Sequence, residues 1–143
     1  MISRREEVIQ AVKALMVGAA PAAEVARDAP WPKRPDPGGT IILHDGDPGE
    51  PEITLSPLRY TYNHELELEV LGPEGSDARH ELLDALLIPI GLAVETSRTL
   101  GGLTEWLEIS AAAPEDVVTE NGQPVRATTL RITAVYTTHN PLS

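Results

Sequence analysis

The feature that most constrains the fold is an alternation of apolar and polar residues from Leu58 to Leu71. A repeat of two residues over a dozen positions is typical of a β-strand with one buried and one solvent-exposed face. In a helix the same apolar residues would be distributed around the whole circumference. The even positions carry most of the apolar side chains, and the odd positions are polar. The even set is Tyr60, Tyr62, Leu66, Leu68 and Val70, and the odd set is Arg59, Thr61, Asn63, Glu65, Glu67 and Glu69.

The length of this stretch is the second constraint. At roughly 3.3 Å per residue it would reach about 46 Å, well beyond the usual strand of roughly 17–20 Å. We therefore expect a bend, or an arm that projects beyond the body of the domain.

Two segments have the spacing of amphipathic helices. Ser3 and Glu6 have capping-box spacing at the start of a helix predicted to run to Val17 and to end at Gly18. A second helix should begin at a cap provided by Ser76 or Asp77 and run to about Val94. Each helix has an apolar stripe suited to packing on a sheet.

The remaining elements are short strands and turns. Thr40–His44, Thr104–Ala112 and Thr128–Thr138 are strand candidates, Val25 begins a further short extended piece, and Asn121-Gly122 marks a hairpin. The order of elements predicts an α+β fold, namely an antiparallel, strongly twisted sheet with two helices on one face and a projecting hairpin or long strand. A single domain should span residues 1–143, with an irregular loop over about 19–57, and seven of the 13 prolines lie between Pro30 and Pro57.

Composition excludes several classes of protein. The chain has no cysteine, so it has neither a disulfide framework nor a thiolate nucleophile. The formal net charge of -11 disfavours tight binding to nucleic acid and to anionic membranes. The sequence has no apolar run long enough to span a membrane, and MISRREEV lacks the apolar core of a signal peptide.

Three groups of polar residues are candidates for chemistry. His44, Asp45 and Asp47, with Glu50, offer oxygen and nitrogen ligands, but the calcium-loop spacing is missing, which favours a solvated acidic turn over a metal site. His64 falls on the apolar face of the long strand, where a core or interface histidine with a backbone partner is expected. Glu65, Glu67 and Glu69 form an acidic row, which suits a wet face or a negative contact strip better than acid–base catalysis.

Motifs for catalysis and for cofactor binding are missing from the sequence. Thr99–Leu103 is glycine-rich but is not a phosphate loop, and there is no Gly-x-Ser-x-Gly elbow. We therefore expect no catalytic residue, no cofactor and no metal, and predict that the chain is not an enzyme.

The order of the predicted elements and the residue pattern of the chain resemble those of a known family. Four pieces carry the resemblance: ISRREEVIQAVKALM, ILHDGDPGEPEITLSPLRYTYNHELELEV, the second helix with TLGGLTEW, and LRITAVYTTHNPL. Together they resemble the small tail-terminator, or tail-completion, proteins of long-tailed phages, prophages and gene transfer agents. Some relatives of this texture carry acyl-CoA transferase names, which nothing in this sequence supports.

The resemblance implies a structural role in particle assembly. Such proteins form a ring, typically a hexamer, that caps the tail tube, ends its polymerisation and offers the surface to which the head docks. The implied partners are further copies of the chain, the major tail tube protein and a neck or head-completion protein, with DNA passing through the ring without tight binding. The implied location is the bacterial cytoplasm during assembly and then the tail–neck junction of the virion or particle.

Irregular or projecting parts of the chain are the expected contact surfaces. Acidic side chains that face the central channel of the ring would repel DNA as it passes. Deletion of the loop segment Pro35–Glu50 should leave the domain folded but prevent tail completion. The candidate interface and lumen residues are Trp31, His44, Asp45, Asp47, Glu50, Glu65, Glu67, Glu69, Leu100, Gly101, Gly102, Glu115, Asp116, Glu120 and Asn121, together with the Thr138–Ser143 tail.

Two other functions stay open at this stage. One is another neck or head-tail joining protein, which also builds rings from small α+β domains. The other is a small binding module or enzyme for an acyl or carboxylate ligand. Assembly into rings would favour a structural protein of either kind. A thermal shift with acyl-CoA or a divalent metal would favour the ligand-binding module or enzyme.

Overall fold

The computed structural model describes residues 1–120 and 122–143, and the backbone but not the side chain of Ser76. Within these residues the chain forms two α-helices and seven strands, with 3-10 turns at Ser76–Ala78 and Leu100–Gly102. The helices are α1 (Arg4–Ala19) and α2 (Arg79–Thr96). The strands are β1 (Glu24–Arg27), β2 (Thr40–Leu43), β3 (Glu52–Thr54), β4 (Arg59–Leu71), β5 (Trp106–Ile109), β6 (Glu115–Val118) and β7 (Pro124–Thr138).

All of these strands join one sheet, in the order β1-β2-β4-β7-β5, with β3 paired to β4 and β6 paired to β7. Every pairing is antiparallel except that of β1 with β2, which is parallel. The predicted α+β class with a mainly antiparallel sheet is confirmed. The parallel pair was not expected from the sequence.

The long alternating stretch is the centre of the sheet. β4 pairs with β7 without interruption from Tyr60 opposite Thr138 to Leu71 opposite Ala127. From Tyr62 to Val70 its even positions are buried, and Asn63, Glu65 and Glu67 are exposed, as the pattern predicts. In a strand of this kind, the buried row places its side chains against the helices and leaves the odd row on the opposite face.

Helix α1 begins as predicted and ends later than predicted. The Ser3 side chain accepts a hydrogen bond from the backbone N–H of Glu6 at 3.2 Å, which satisfies one of the free donors of the first turn. The helix continues through Gly18 to Ala19 and is closed by the backbone N–H of Ala20, which donates to Met16. Gly18 has open space around it and lacks the left-handed backbone of a typical glycine cap, so its assignment as the end of the helix was wrong.

Helix α2 begins later than predicted. The Ser76–Ala78 segment forms a 3-10 turn, and the residue that flanks the helix is Ala78, which offers no side-chain cap. The predicted cap at Ser76 or Asp77 is therefore wrong, while the predicted stripe is confirmed at Leu83, Leu86 and Ile90, which are buried.

The main core lies between the two helices and one face of the sheet. Its members are aliphatic side chains and two tyrosines, since the sequence has no phenylalanine. The fully or nearly buried members include Val8, Ile9, Val12 and Met16 from α1, Leu83, Ile90 and Val94 from α2, and Ile41, Leu43, Tyr62, Leu66, Leu68, Val70, Leu107, Leu130, Ile132, Ala134 and Tyr136 from the sheet.

A second, smaller apolar cluster lies on the other face at one end of the sheet. Ile42 and Leu71 share the face of Glu69, and Val125 and Ala127 continue this face on β7. All four side chains are buried, but none belongs to the main core. Sequence periodicity did not indicate this cluster, because it contradicts the polar character of the rest of that face.

The Pro-rich region contains the predicted strand at Thr40–His44, observed as β2, and one strand that was not predicted, β3. β2 lies inside it, with Ile41 and Leu43 completely buried, and β3 forms a hairpin with β4 through residues 55–58. Deletion of Pro35–Glu50 would remove β2, which lies between β1 and β4, so the structure favours unfolding of such a variant over the folded domain expected from the sequence.

Candidate functional site

The face of the sheet opposite the helices carries the acidic row. Glu65 and Glu67 are exposed, and with Asp47 and Arg131 they line a shallow groove of about 430 Å³. The register places Glu67 directly opposite Arg131 on β7. The Arg131 guanidinium lies 3.9 Å from the Glu65 carboxylate, and both side chains are more than half exposed. Such a pair is screened by water, so the surface stays negative and open.

Glu69, the third acid of the row, is held by neighbours. Its carboxylate accepts a 2.6 Å hydrogen bond from the indole N–H of Trp31 and lies 3.5 Å from Nε2 of His44. The Nδ1 atom of His44 lies 3.4 Å from the carboxylate of Asp28. These contacts place Trp31 and His44 beside one end of the acidic row, as candidate contact residues that the fold brings together.

The loop that follows β2 lies directly on β4. Gly46 has φ +66°, and a Cβ at this position would come within 1.9 Å of the Glu65 carbonyl oxygen, so only glycine fits. Asp47 forms an isolated bridge with Glu65, and its carboxylate accepts a hydrogen bond from the backbone of Gly49 at 2.8 Å. The loop is therefore a fixed edge of the groove, and Glu50 beyond it is exposed.

Arg27 connects this loop to helix α1. Its guanidinium donates two hydrogen bonds to the Glu6 carboxylate, at 2.7 and 2.8 Å, and two to the Asp45 carboxylate, at 2.6 and 2.8 Å. These charge-assisted bonds hold the pKa of Glu6 and of Asp45 below the usual values and raise that of Arg27. Asp45 was a candidate interface residue, but its carboxylate serves this internal bridge.

His64 is a fully buried histidine, as predicted, and its backbone partner is the carbonyl oxygen of Asp45, 2.6 Å from Nε2. A carbonyl can only accept, so Nε2 carries the proton and donates. Nδ1, 2.9 Å from the Tyr136 hydroxyl, is then the acceptor. Burial lowers the pKa of His64 and raises that of Tyr136 to about 12, so the neutral forms are favoured and the pair supports the loop.

The acidic turn does not form a cluster of metal ligands. Within residues 1–120 and 122–143, no three side chains of His, Asp or Glu are grouped so that they could hold a metal ion. The same part of the chain contains no helix long and apolar enough to cross a bilayer.

The other candidate interface residues lie elsewhere. Gly101 and Gly102 are exposed in their 3-10 turn, while Leu100 packs against the main core. The Asp116 carboxylate forms ion pairs with the guanidinium groups of Arg79 and Arg126, at N–O distances of 3.0 and 3.3 Å.

The predicted hairpin around the Asn-Gly pair is formed by β6 and β7, which pair from Glu115 to Val118. Glu115 and Glu120 are exposed on it. Asn121 lies outside the described residues.

Sequence reasoning missed an apolar hairpin tip. Ile53, Leu55 and Leu58 surround the β3–β4 turn with 55%, 77% and 45% of their surface exposed. We call these three residues the hairpin tip. The run ITLSPL could have suggested it, since it places three large apolar residues within six positions of a turn.

A groove at the opposite end of β4 was also missed. It measures about 210 Å³ and lies between the Trp31–Pro35 segment and the β6–β7 hairpin. We call it the Trp31 groove, and its apolar lining includes Trp31, Pro32, Pro35, Leu71, Val118 and Val125.

Comparison with known proteins adds no relative. No protein-family model matches the chain, and a search of curated proteins finds no significant match.

Proposed function

We propose that this chain is a structural subunit that caps a phage-type tail tube as a ring, ends its polymerisation and forms the surface on which the head docks. The observation that carries the proposal is the division of the sheet into two faces. The helices cover one face, while the middle of the other is open and bears Glu65 and Glu67. A two-faced sheet of this kind suits the wall of a channel, with helices outside and a charged lining inside.

The charge of the molecule supports this arrangement. Each copy carries a formal net charge of -11, so a ring of copies would surround its bore with negative charge. Because like charges repel, DNA would pass such a lining without adhering to it. The open row of Glu65 and Glu67 is the part of the sheet that we assign to this lining.

Three of the polar residues that were candidates for chemistry, His64, Asp45 and Glu69, have structural contacts in this fold. His64 has both ring nitrogens within hydrogen-bond distance of a partner, and Asp45 is held by Arg27. Glu69 accepts a hydrogen bond from Trp31 and lies beside His44. These contacts support a subunit that works through association, and we assign it no substrate.

The test is removal of the gene from the genome that encodes the chain, followed by electron microscopy of the particles. We expect tail tubes of irregular length without attached heads, and recovery of normal particles when the gene is restored. Tails of normal length that join heads in the absence of the chain would refute the proposed function.

The lining is tested separately by charge reversal. The double variant Glu65→Lys, Glu67→Lys should still complete tails but should deliver less DNA, because cations in the bore bind phosphate. The double variant Glu81→Lys, Glu95→Lys on the exposed side of α2 reverses the same number of charges, is the matched control and should leave delivery unchanged. Equal DNA delivery by the Glu65, Glu67 variant and the control would reject the lining assignment.

A further inference from the structure

We propose that the hairpin tip of one copy of this chain binds in the Trp31 groove of the next copy. The inference rests on the proposed function in that it names the contact by which copies would join.

The two surfaces lie at opposite ends of the same strand. The hairpin tip adjoins Arg59, where β4 begins, and the Trp31 groove includes Leu71, where β4 ends. A strand of this length separates them by roughly 40 Å. One copy therefore cannot fill its own groove with its own tip, whereas successive copies can be joined head to tail.

The two surfaces are both apolar, exposed and small. Leu55 is 77% exposed at the turn of a narrow hairpin, and Val118 is 73% exposed on the edge of the groove. The groove, at about 210 Å³, is smaller than the roughly 300–1,000 Å³ typical of small-molecule sites and is on the scale of aliphatic side chains. Apolar surface left open on both sides gives a hydrophobic reason for the two to meet.

The charges beside the two surfaces are predominantly opposite in sign, with one acid, Glu120, also lining the groove and one base, Arg59, adjoining the hairpin. Lys33 lines the groove and Arg34 is the next residue in the chain; both are exposed, and within the described part of the chain neither makes an ion pair. Glu50 and Glu52 are exposed beside the hairpin, also without an ion pair among the described residues. Opposite charges at the rim of a contact favour the correct partner and orientation, so a second copy fits the groove better than an uncharged apolar peptide.

The contact is heterologous, since two different patches of the chain meet. Repetition of such a contact produces a closed ring if the rotation between copies closes, and a filament if it does not. The strands would then run around the ring from copy to copy. The bound tip would cover the Leu71 end of the face that bears Glu65 and Glu67, and the middle of that face would stay free to line the bore.

The test uses two single variants that each disable one surface. Leu55→Asp removes the apolar tip and keeps the groove, and Val118→Asp damages the groove and keeps the tip. By light scattering, each variant alone should associate at least tenfold more weakly than the wild type. An equal mixture should form a one-to-one complex that grows no further, because only one intact tip and one intact groove remain. Ile88→Asp, at a site on α2 that is 70% exposed, is the control and should associate like the wild type.

A cross-linking experiment decides the case if the wild-type association is too weak for light scattering. The chain has no cysteine, so Leu55→Cys and Val118→Cys proteins can be mixed and oxidised on a clean background. We expect a disulfide-linked heterodimer in clear excess over that formed by Leu55→Cys with Ile88→Cys.

Two results would overturn the contact. One is no excess of the cross-linked pair over the control pair. The other is wild-type association that neither Asp variant weakens, which would show that copies meet elsewhere. Neither result decides the proposed function, which fails only if particles made without the chain have normal tails.

Discussion

The hydrogen bond between Tyr136 and His64 provides the sharpest test of the fold. Tyr136→Phe removes the hydroxyl that donates to Nδ1 of His64 and leaves the ring in place. Nδ1 is then a buried acceptor without a partner, since His64 is completely buried. A buried polar atom left unpaired costs about 1–3 kcal/mol, and we expect the free energy of unfolding to fall by this amount.

Tyr62 offers a matched control on the neighbouring strand. It lies directly opposite Tyr136 in the sheet, and the two ring centroids are 5.7 Å apart. Its hydroxyl makes no hydrogen bond within the described residues and is not sealed from solvent. The same chemical change, Tyr62→Phe, should therefore shift the free energy of unfolding by less than about 0.5 kcal/mol.

Urea unfolding followed by circular dichroism measures both variants, with an unchanged m-value as the check that the unfolding reaction is the same. In thermal scans, Tyr136→Phe should lower Tm by roughly 3–12 °C, from about 3–4 °C per kcal/mol for a chain of this size. A cost for Tyr136→Phe no greater than that for Tyr62→Phe would refute the assignment of Nδ1 as the acceptor of a stabilising bond.

Three further predictions concern stability, each measured as the free energy of unfolding in urea. Gly46→Ala should cost more than 1 kcal/mol because its Cβ would collide with the backbone of β4, whereas Gly49→Ala, also at positive φ but in open space, should cost less. Thr40→Val should stabilise by about 1 kcal/mol, because the Thr40 hydroxyl is buried without a partner. Thr104→Val, which loses a 3.0 Å bond to a carbonyl, should destabilise; the same sign for both would contradict this reasoning. Stability should fall as the pH drops below about 6.5, since the unfolded chain binds a proton that buried His64 resists, and His64→Gln should lose this part of the slope.

Local patterns predicted much of the fold. The alternation in β4 and β7, the stripe of α1 and the Asn-Gly hairpin are each encoded within a dozen residues, and a period of two or of 3.6 is a direct consequence of backbone geometry. The acidic row was also predicted to lie on the wet face of β4, and Glu65 and Glu67 do lie there.

Contacts between distant residues could not be predicted. Nothing near Arg27 in the sequence shows that it joins Glu6 to Asp45, because those partners come together only when β1, β2 and α1 are packed. The parallel pairing of β1 with β2 likewise joins segments that are separated in the sequence, so no local pattern indicates it.

The second apolar cluster shows a different limit. Leu71 falls on the polar face of β4 by periodicity, yet it is buried with Val125 at the end of that face. The Trp31–Pro35 segment returns beside these residues to form a groove, which a pattern of alternation cannot encode.

Residues near the two ends of the described chain lie close together, at a further surface groove of about 210 Å³ beside the start of α1, which has a practical consequence for handling the protein. Ile2 and Ser143 both line it, together with Thr138, which pairs with Tyr60 next to the β3–β4 hairpin. An affinity tag fused at either Met1 or Ser143 would therefore hang beside the same corner of the molecule. Purified material should be studied after the tag is cleaved, since a bulky extension there would shield the hairpin and mimic a defect in assembly.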